Sequence, residues 1–206
     1  MPSIYDLKSR FQGLLRPLVG RLARAGVTAN QVTLAAIVLS LAGGAALLLA
    51  PGHPLPLVLL PGLLFLRMAL NAVDGMLARE HDQKSRLGAV LNELGDVVSD
   101  IALYLPFALL PGVAGWLPVA ICLLAVIGEM TGVVGIQIGA SRRYDGPMGK
   151  SDRAVVFGTL GIFIGFGLIG SVVVNIVLAA TAVLGVLTIF NRARQALAET
   201  QEGPRP

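Results

Sequence analysis

Apolar residues run through this chain in long blocks, and the breaks between blocks divide it into helices. No Lys, Arg, Asp or Glu falls between Arg24 and Arg67. At ~1.5 Å per residue that stretch is too long for one crossing, and Pro51-Gly52-His53-Pro54 interrupts it, so it holds two spans. The same reading predicts six spans, at 31–50, 55–78, 87–110, 116–140, 152–169 and 171–191, with further turns at Pro111-Gly112 and Gly170-Ser171. Residues 154–190 carry no charge at all, and only Gly170-Ser171 gives them an obvious place to turn. Gly161 and Gly165 read as a small-residue packing face. Ahead of the first span, Ile4, Leu7, Phe11, Leu14, Leu15, Leu18 and Leu22 recur at helical spacing, with Arg10, Arg16, Arg21 and Arg24 outside the stripe. This predicts an interfacial helix over 1–26, disturbed at Pro17, with two shorter helices as the alternative. The expected fold is all-α: a polytopic membrane protein with six transmembrane helices over 27–194, an N-terminal interfacial amphipathic helix and a cytoplasmic tail over 195–206.

Composition agrees with a bilayer. Of 206 residues, 55% are hydrophobic and 14% charged, and the mean hydropathy is +0.77, outside the range of soluble domains. Fifteen of the 16 basic residues fall in four segments that six spans place on one face: before span one, between spans two and three, between four and five, and after six. The positive-inside rule makes that face cytoplasmic, with both termini on it, in a bacterial-type inner membrane. The net charge of +4 is then a matter of orientation and lipid headgroups, and nucleic acid is not an expected partner. The start of the chain lacks the short apolar core and cleavage site of a secretory signal. Cys122 has no cysteine partner and sits in an apolar stretch, which suits packing.

The chemistry concentrates in Asn71-Ala-Val-Asp74-Gly75-Met-Leu-Ala78-Arg79 and, eight residues on, Gly88-Ala-Val-Leu-Asn92-Glu-Leu-Gly-Asp96. Asn71 and Asp74 are spaced i, i+3, and Asn92 and Asp96 i, i+4, so each pair shares a helix face. A short linker makes the two helices antiparallel neighbours, and four oxygen-bearing side chains converge. Hard divalent cations take oxygen ligands and can clamp the attacking and leaving oxygens of a displacement at phosphorus.

This stretch resembles the signature of the CDP-alcohol phosphotransferase family, D-x2-D-G-x2-A-R-x8-G-x3-D-x3-D. Every spacer matches, and six of its eight fixed positions are retained. The resemblance implies an integral membrane transferase. It would move a phosphoalcohol group from a CDP-linked donor such as CDP-diacylglycerol to an alcohol acceptor, release CMP, and work as a homodimer in phospholipid biosynthesis. It further implies that Asp74 is a metal ligand for Mg²⁺ or Mn²⁺, with Asn71, Asn92 and Asp96 completing the set. Gly75, Ala78 and Arg79 would border the CDP moiety, Gly88 would allow close helix approach, and Asp96 would be the catalytic base. The family has Asp where this chain has Asn71 and Asn92, which halves the constellation's formal charge from −4 to −2. An Asn offers a metal one neutral oxygen and no charge. Three outcomes follow: metal binding completed by the substrate diphosphate, a single metal, or an inactive relative that binds a CDP-lipid or scaffolds lipid enzymes. A transporter using intramembrane carboxylates is a further class, but half-chain repeats with interrupted helices are not found.

A second basic segment runs from Ser141 to Arg153. Lys150 and Arg153, at the start of span five, are candidates for the acceptor or phosphate, and Arg142 and Arg143 read as topology determinants. Three further charges, which the signature does not contain, lie deep inside spans: Arg67, Asp100 and Glu129. In antiparallel neighbours, residues at equal depth have a constant sum of numbers; the signature pairs average 166.5, and Arg67 with Asp100 gives 167. These three are expected to form an intramembrane cluster beneath the metal site.

Overall fold

The computed structural model describes residues 4–201, with side chains from Phe11 onward. The side chains of Ile4, Leu7, Lys8 and Arg10, and Arg205 in the tail, lie outside the described residues. Seven α-helices and one 3₁₀ turn occur among those described: α1 (Ile4–Arg24), α2 (Ala29–Leu49), α3 (Pro54–Glu80), α4 (Arg86–Tyr104) with the turn Leu105–Leu109, α5 (Trp116–Gln137), α6 (Lys150–Gly165) and α7 (Ser171–Gln201). Local chemistry sets the starts. Thr28 and Gln31 form a capping box at α2, with Oγ1 of Thr28 accepting from Gln31 N at 3.3 Å and Oε1 of Gln31 accepting from Thr28 N at 2.9 Å. Ser85 caps α4 by accepting from Gly88 N at 2.9 Å. Pro54 occupies the first turn of α3, where its missing N–H costs nothing.

Four helices, α2, α3, α5 and α7, are long and apolar enough to cross a membrane. The other two expected spans differ for identifiable reasons. α4 carries Glu93, Asp96 and Asp100 and gives way to the 3₁₀ turn at Pro106, which has no N–H to continue the ladder. α6 has 16 residues and ends at Gly165, short of the expected 169. α7 continues to Gln201, ten residues beyond the expected end at 191. Its sequence from Asn191 to Gln201 has no Gly or Pro and is rich in helix formers, so much of the expected tail is helix. α1 is one helix, not two. Val19 is wholly buried against Val32, Val73, Met76 and Leu77, and this packing outweighs the hydrogen bond lost at Pro17.

The helices pack mainly as α2 on α3 and α4, α3 on α6, and α5 on α7. Small residues set the closest approaches. A Cβ on Gly44 would stand 2.2 Å from the carbonyl oxygen of Ala102, and one on Gly161 2.7 Å from that of Leu57. Gly158 and Gly165 lie on the same face of α6 against α3. Away from the basic end, the core closes around Tyr104 and Phe157, stacked at 4.2 Å, with Phe107 edge-on to Phe157 at 5.0 Å.

Candidate functional site

The linker between α3 and α4 is tied to the start of α2. Gln83 accepts from Ala29 N at 2.7 Å and donates to the Val27 carbonyl at 3.3 Å. A Cβ on Gly88 would meet the Asn30 side chain at 2.7 Å, so this glycine lets α4 begin directly against α2. The two helices pack on α2 rather than closely on one another, and one signature residue of α3, Asn71, reaches one of α4, Asp96, through its side chain. The Asn71 amide donates to Oδ1 of Asp96 at 3.2 Å. Lys150, the first residue of α6, donates to the same carboxylate oxygen. Arg67 reaches Asp96 from below, with Nη2 3.1 Å from its backbone carbonyl and 3.6 Å from Oδ1. Asp74 is buried and its Oδ2 accepts from the Thr33 hydroxyl at 2.8 Å. Thr33 lies on α2 and carries no mark in the signature; only the tertiary packing reveals it. Asn92 is exposed one turn before Asp96. Arg79 folds back over Gly75, whose hypothetical Cβ would lie 3.1 Å from both terminal guanidinium nitrogens. Ala78 precedes Arg79 on the same turn and is half-buried.

Among the described residues, no group of three or more His, Cys, Asp or Glu side chains is arranged to hold a metal ion. Two carboxylates, Asp74 and Asp96, remain, with the amide oxygens of Asn71 and Asn92 as neutral donors. This set fits one hard cation whose remaining ligands and charge come from an anionic substrate; it lacks the charge for a bare pair of ions. Lys150 already compensates Asp96.

Beneath the signature lies a second, larger polar cluster. Arg67 Nη1 donates to Oδ1 of Asp100 at 2.6 Å, as the depth rule requires. Arg153 reaches the other oxygen of Asp100 through Nε at 3.0 Å and Nη2 at 2.8 Å, and Glu129 at 3.4 Å. Glu129 is therefore joined to Arg67 through Arg153, with no direct ion pair between the two among the described residues. Arg153 also donates to the Met148 carbonyl at 3.2 Å and is 4% exposed. The guanidinium expected beside an acceptor is thus turned into the protein, because two buried carboxylates draw it there.

Two further arginines join the cluster and correct the sequence reading. Arg192 on α7, 2% exposed, lies 3.4 Å from Glu129 and donates to the Gly128 carbonyl at 2.6 Å. Arg142 bridges Glu93 at 2.8 Å and Glu129 at 2.9 Å. Arg142 and Arg143 do more than set topology, since Arg143 pairs with Asp145 at 2.8 Å and Glu199 at 2.7 Å. Their pairing holds the α5–α6 segment against α7. Gly132 makes room for it: a Cβ there would be 1.9 Å from Arg142 Nη1. The sequence offered one signal for this, small residues at 128, 132 and 135 along the α5 face that the arginines cross.

A cavity of about 420 Å³ opens between α3 and α6. Its polar end is formed by Arg67, Asn71, Lys150 and Ser151, and the rest is apolar apart from Thr159, including Phe65, Met68 and Val155.

Comparisons with known proteins agree with this arrangement. The model of the family described as CDP-alcohol phosphatidyltransferase matches residues 26–190. The inner membrane protein YnbA of Escherichia coli (strain K12) is 45% identical over 200 residues, covering 97% of this chain and 99% of YnbA. The fold is that of the phosphatidylinositol phosphate synthase PgsA1 of Mycobacterium tuberculosis. Its crystal structure with manganese and citrate gives a TM-score of 0.73 at 20% identity, covering 92% of each chain. Its structure with CDP-DAG bound gives 0.69 at 21% identity, covering 92% of this chain and 96% of that one. Matched by the family model from the loop before α2 to the middle of α7, this membrane chain belongs to the CDP-alcohol phosphatidyltransferase family.

Proposed function

We propose that the chain transfers a phosphatidyl group from a CDP-linked donor, CDP-diacylglycerol, to an acceptor hydroxyl with release of CMP. The observation that carries this reading is the position of Asp96. One carboxylate is touched by Asn71 of α3 and Lys150 of α6, at the polar end of an apolar cavity between those two helices. A diphosphate at that end would meet Lys150 and Arg79, while the apolar length accepts a lipid chain. The PgsA1 crystal structures with manganese and with CDP-DAG supply the choice of cofactor and donor.

The chain's own residues divide the work. Arg79, lying over Gly75, and Lys150 bind the diphosphate, and Gly75 and Ala78 leave space beside it for the nucleotide. Asp74, oriented by Thr33, with Asn71, Asn92 and Asp96, holds a Mg²⁺ or Mn²⁺ ion once the nucleotide contributes its own oxygens. When bound, the ion neutralises the diphosphate and the departing CMP. Asp96 accepts the proton of the attacking hydroxyl. In this reading α4 and α6 serve as two short spans and both termini are cytoplasmic, so the site would lie at the cytoplasmic membrane surface, where a water-soluble nucleotide can leave. YnbA, an inner membrane protein by name, supports the inner membrane as the location.

A second reading, a CDP-lipid-binding relative without turnover, draws on the charge missing at Asn71 and Asn92. One assay separates the two. Purified protein with CDP-diacylglycerol, Mg²⁺ or Mn²⁺ and a panel of alcohols is expected to release CMP. CDP-lipid binding without CMP release under any of these conditions establishes the second reading.

A further inference from the structure

We infer that the acceptor is an alcohol carrying no phosphate group; this rests on the transferase reading and narrows its substrate. The cytoplasmic end of the bundle is rich in cations, yet those around the site are already compensated. Arg67 pairs with Asp100, Arg142 with Glu93 and Glu129, Arg143 with Asp145 and Glu199, Arg153 with Asp100 and Glu129, Arg192 with Glu129, and Lys150 with Asp96. Six cations face six carboxylates, Glu93, Asp96, Asp100, Glu129, Asp145 and Glu199.

The arginines' hydrogen-bonding capacity is also taken up. Arg192 donates to the carbonyls of Gly128 and Asp145, Arg153 to that of Met148, and Arg142 to that of Arg143 while stacking over Tyr144 at 4.7 Å. A phosphate dianion needs unpaired cations with free donors. Drawing a buried arginine away from its carboxylate would leave that carboxylate buried and uncompensated. Space points the same way. The two cavities beside Arg153 and Arg192 measure about 10 Å³ each, too small for a phosphate and at most the size of one water.

At the site, the cations still able to meet phosphate are Arg79, which makes no ion pair among the described residues, and Lys150, which lines the cavity and is paired with the partly exposed Asp96; Arg21, Arg24, Lys84, Arg86 and Arg194, also without an ion pair there, are exposed and line no part of the cavity. A CDP donor uses both. An acceptor bringing a second phosphate would add negative charge where no cation remains to receive it. An uncharged polyol or an amino alcohol needs only to bring its hydroxyl to Asp96. In the reaction the acceptor oxygen forms a bond to the donor's β-phosphorus. The bond from that phosphorus to the oxygen bridging to the α-phosphate breaks, its electron pair leaves with CMP, and the hydroxyl proton passes to Asp96.

The test combines equilibrium binding with turnover, using full-length protein in detergent. Calorimetric titration with sn-glycerol 3-phosphate and with inorganic phosphate, after saturation with CDP-diacylglycerol so that the donor engages Arg79 and Lys150, is expected to show no saturable binding to the wild type. Glu129→Gln, which frees Arg142, Arg153 and Arg192 from a shared partner, is expected to strengthen phosphate binding at least about tenfold, equivalent to about 1.4 kcal/mol. CMP release is expected to be at least about tenfold faster with glycerol, inositol, serine or ethanolamine than with glycerol 3-phosphate or inositol phosphate. Saturable binding of glycerol 3-phosphate to the donor-saturated wild type, or faster CMP release with a phosphorylated acceptor, overturns the inference. The wild-type titration decides it even where the variant does not fold. Absence of CMP release with every acceptor counts against the transferase reading and leaves the titration to judge this one.

Discussion

Two polar clusters lie one helical turn apart in this protein, and they are built on opposite principles. In the upper one, Asp74, Asp96, Asn71 and Asn92 are few in charge and only partly occupied. The amide oxygen of Asn71 and the second oxygen of Asp96 accept no hydrogen bond among the described residues. In the lower one, Arg67, Asp100, Arg153, Glu129 and Arg192 hold every charge in at least one ion pair, and all but Glu129 are 4% exposed or less. The contrast separates two uses of charge in a membrane. Groups left unsatisfied at a cavity mouth await a ligand. Groups satisfied by one another, deep in the bundle, tie α3, α4, α5, α6 and α7 together, because each would be costly there alone.

The largest effect expected from this contrast is on stability. Arg153→Leu leaves Asp100 and Glu129 each short of a partner and should lower unfolding free energy by about 3–5 kcal/mol, read by chemical denaturation in detergent. Arg153→Leu with wild-type stability but lost turnover would place Arg153 in the open cluster instead. Next in size, Asp96→Asn should slow CMP release by about 100-fold or more while sparing CDP binding. Asp74→Asn should remove nucleotide-dependent metal binding; wild-type turnover by either variant would show that the upper cluster is not the reactive one.

A smaller effect concerns the missing charges. Mn²⁺ titration of the wild type should show binding only when a CDP-alcohol is present. Asn71→Asp combined with Asn92→Asp should tighten binding to the nucleotide-free protein by about tenfold or more, since ligand charge count sets affinity at such sites. Tight binding of two ions to the nucleotide-free wild type would erase the distinction between a site completed by substrate and one complete in itself. The smallest effect belongs to a pair outside both clusters. Arg16 and Glu80 meet at 3.1 Å on the surface, and Arg16→Ala should leave the thermal unfolding midpoint unchanged, because exposed pairs contribute little.

Some of this was legible in the order of residues alone. The signature's spacing puts Asn71 with Asp74 and Asn92 with Asp96 on shared helix faces, and of the four the fold brings Asn71 and Asp96 into contact. Counting depth in antiparallel neighbours likewise brings Arg67 beside Asp100, now seen at 2.6 Å. Apolar block lengths locate α2, α3 and α5 to within three residues at either end. A span ending at 191 follows from the first charges after the apolar block, whereas α7 continues to Gln201 through residues rich in helix formers.

Contacts between helices distant in sequence could be decided only by the fold. Nothing in the pattern marks Thr33 as the partner of Asp74, since a hydroxyl on an apolar helix reads alike whether it faces lipid, a backbone carbonyl or a carboxylate. Arg142, Arg153 and Arg192 read from sequence as cytoplasmic basic residues, each plausible as a topology signal or a phosphate ligand. Their fate depended on where Glu93, Glu129 and Asp100 stood in three dimensions. Helix spacing is a local rule that the sequence carries within itself. Charge compensation is a property of distance, and distance between α4, α5, α6 and α7 is set only when all of them pack.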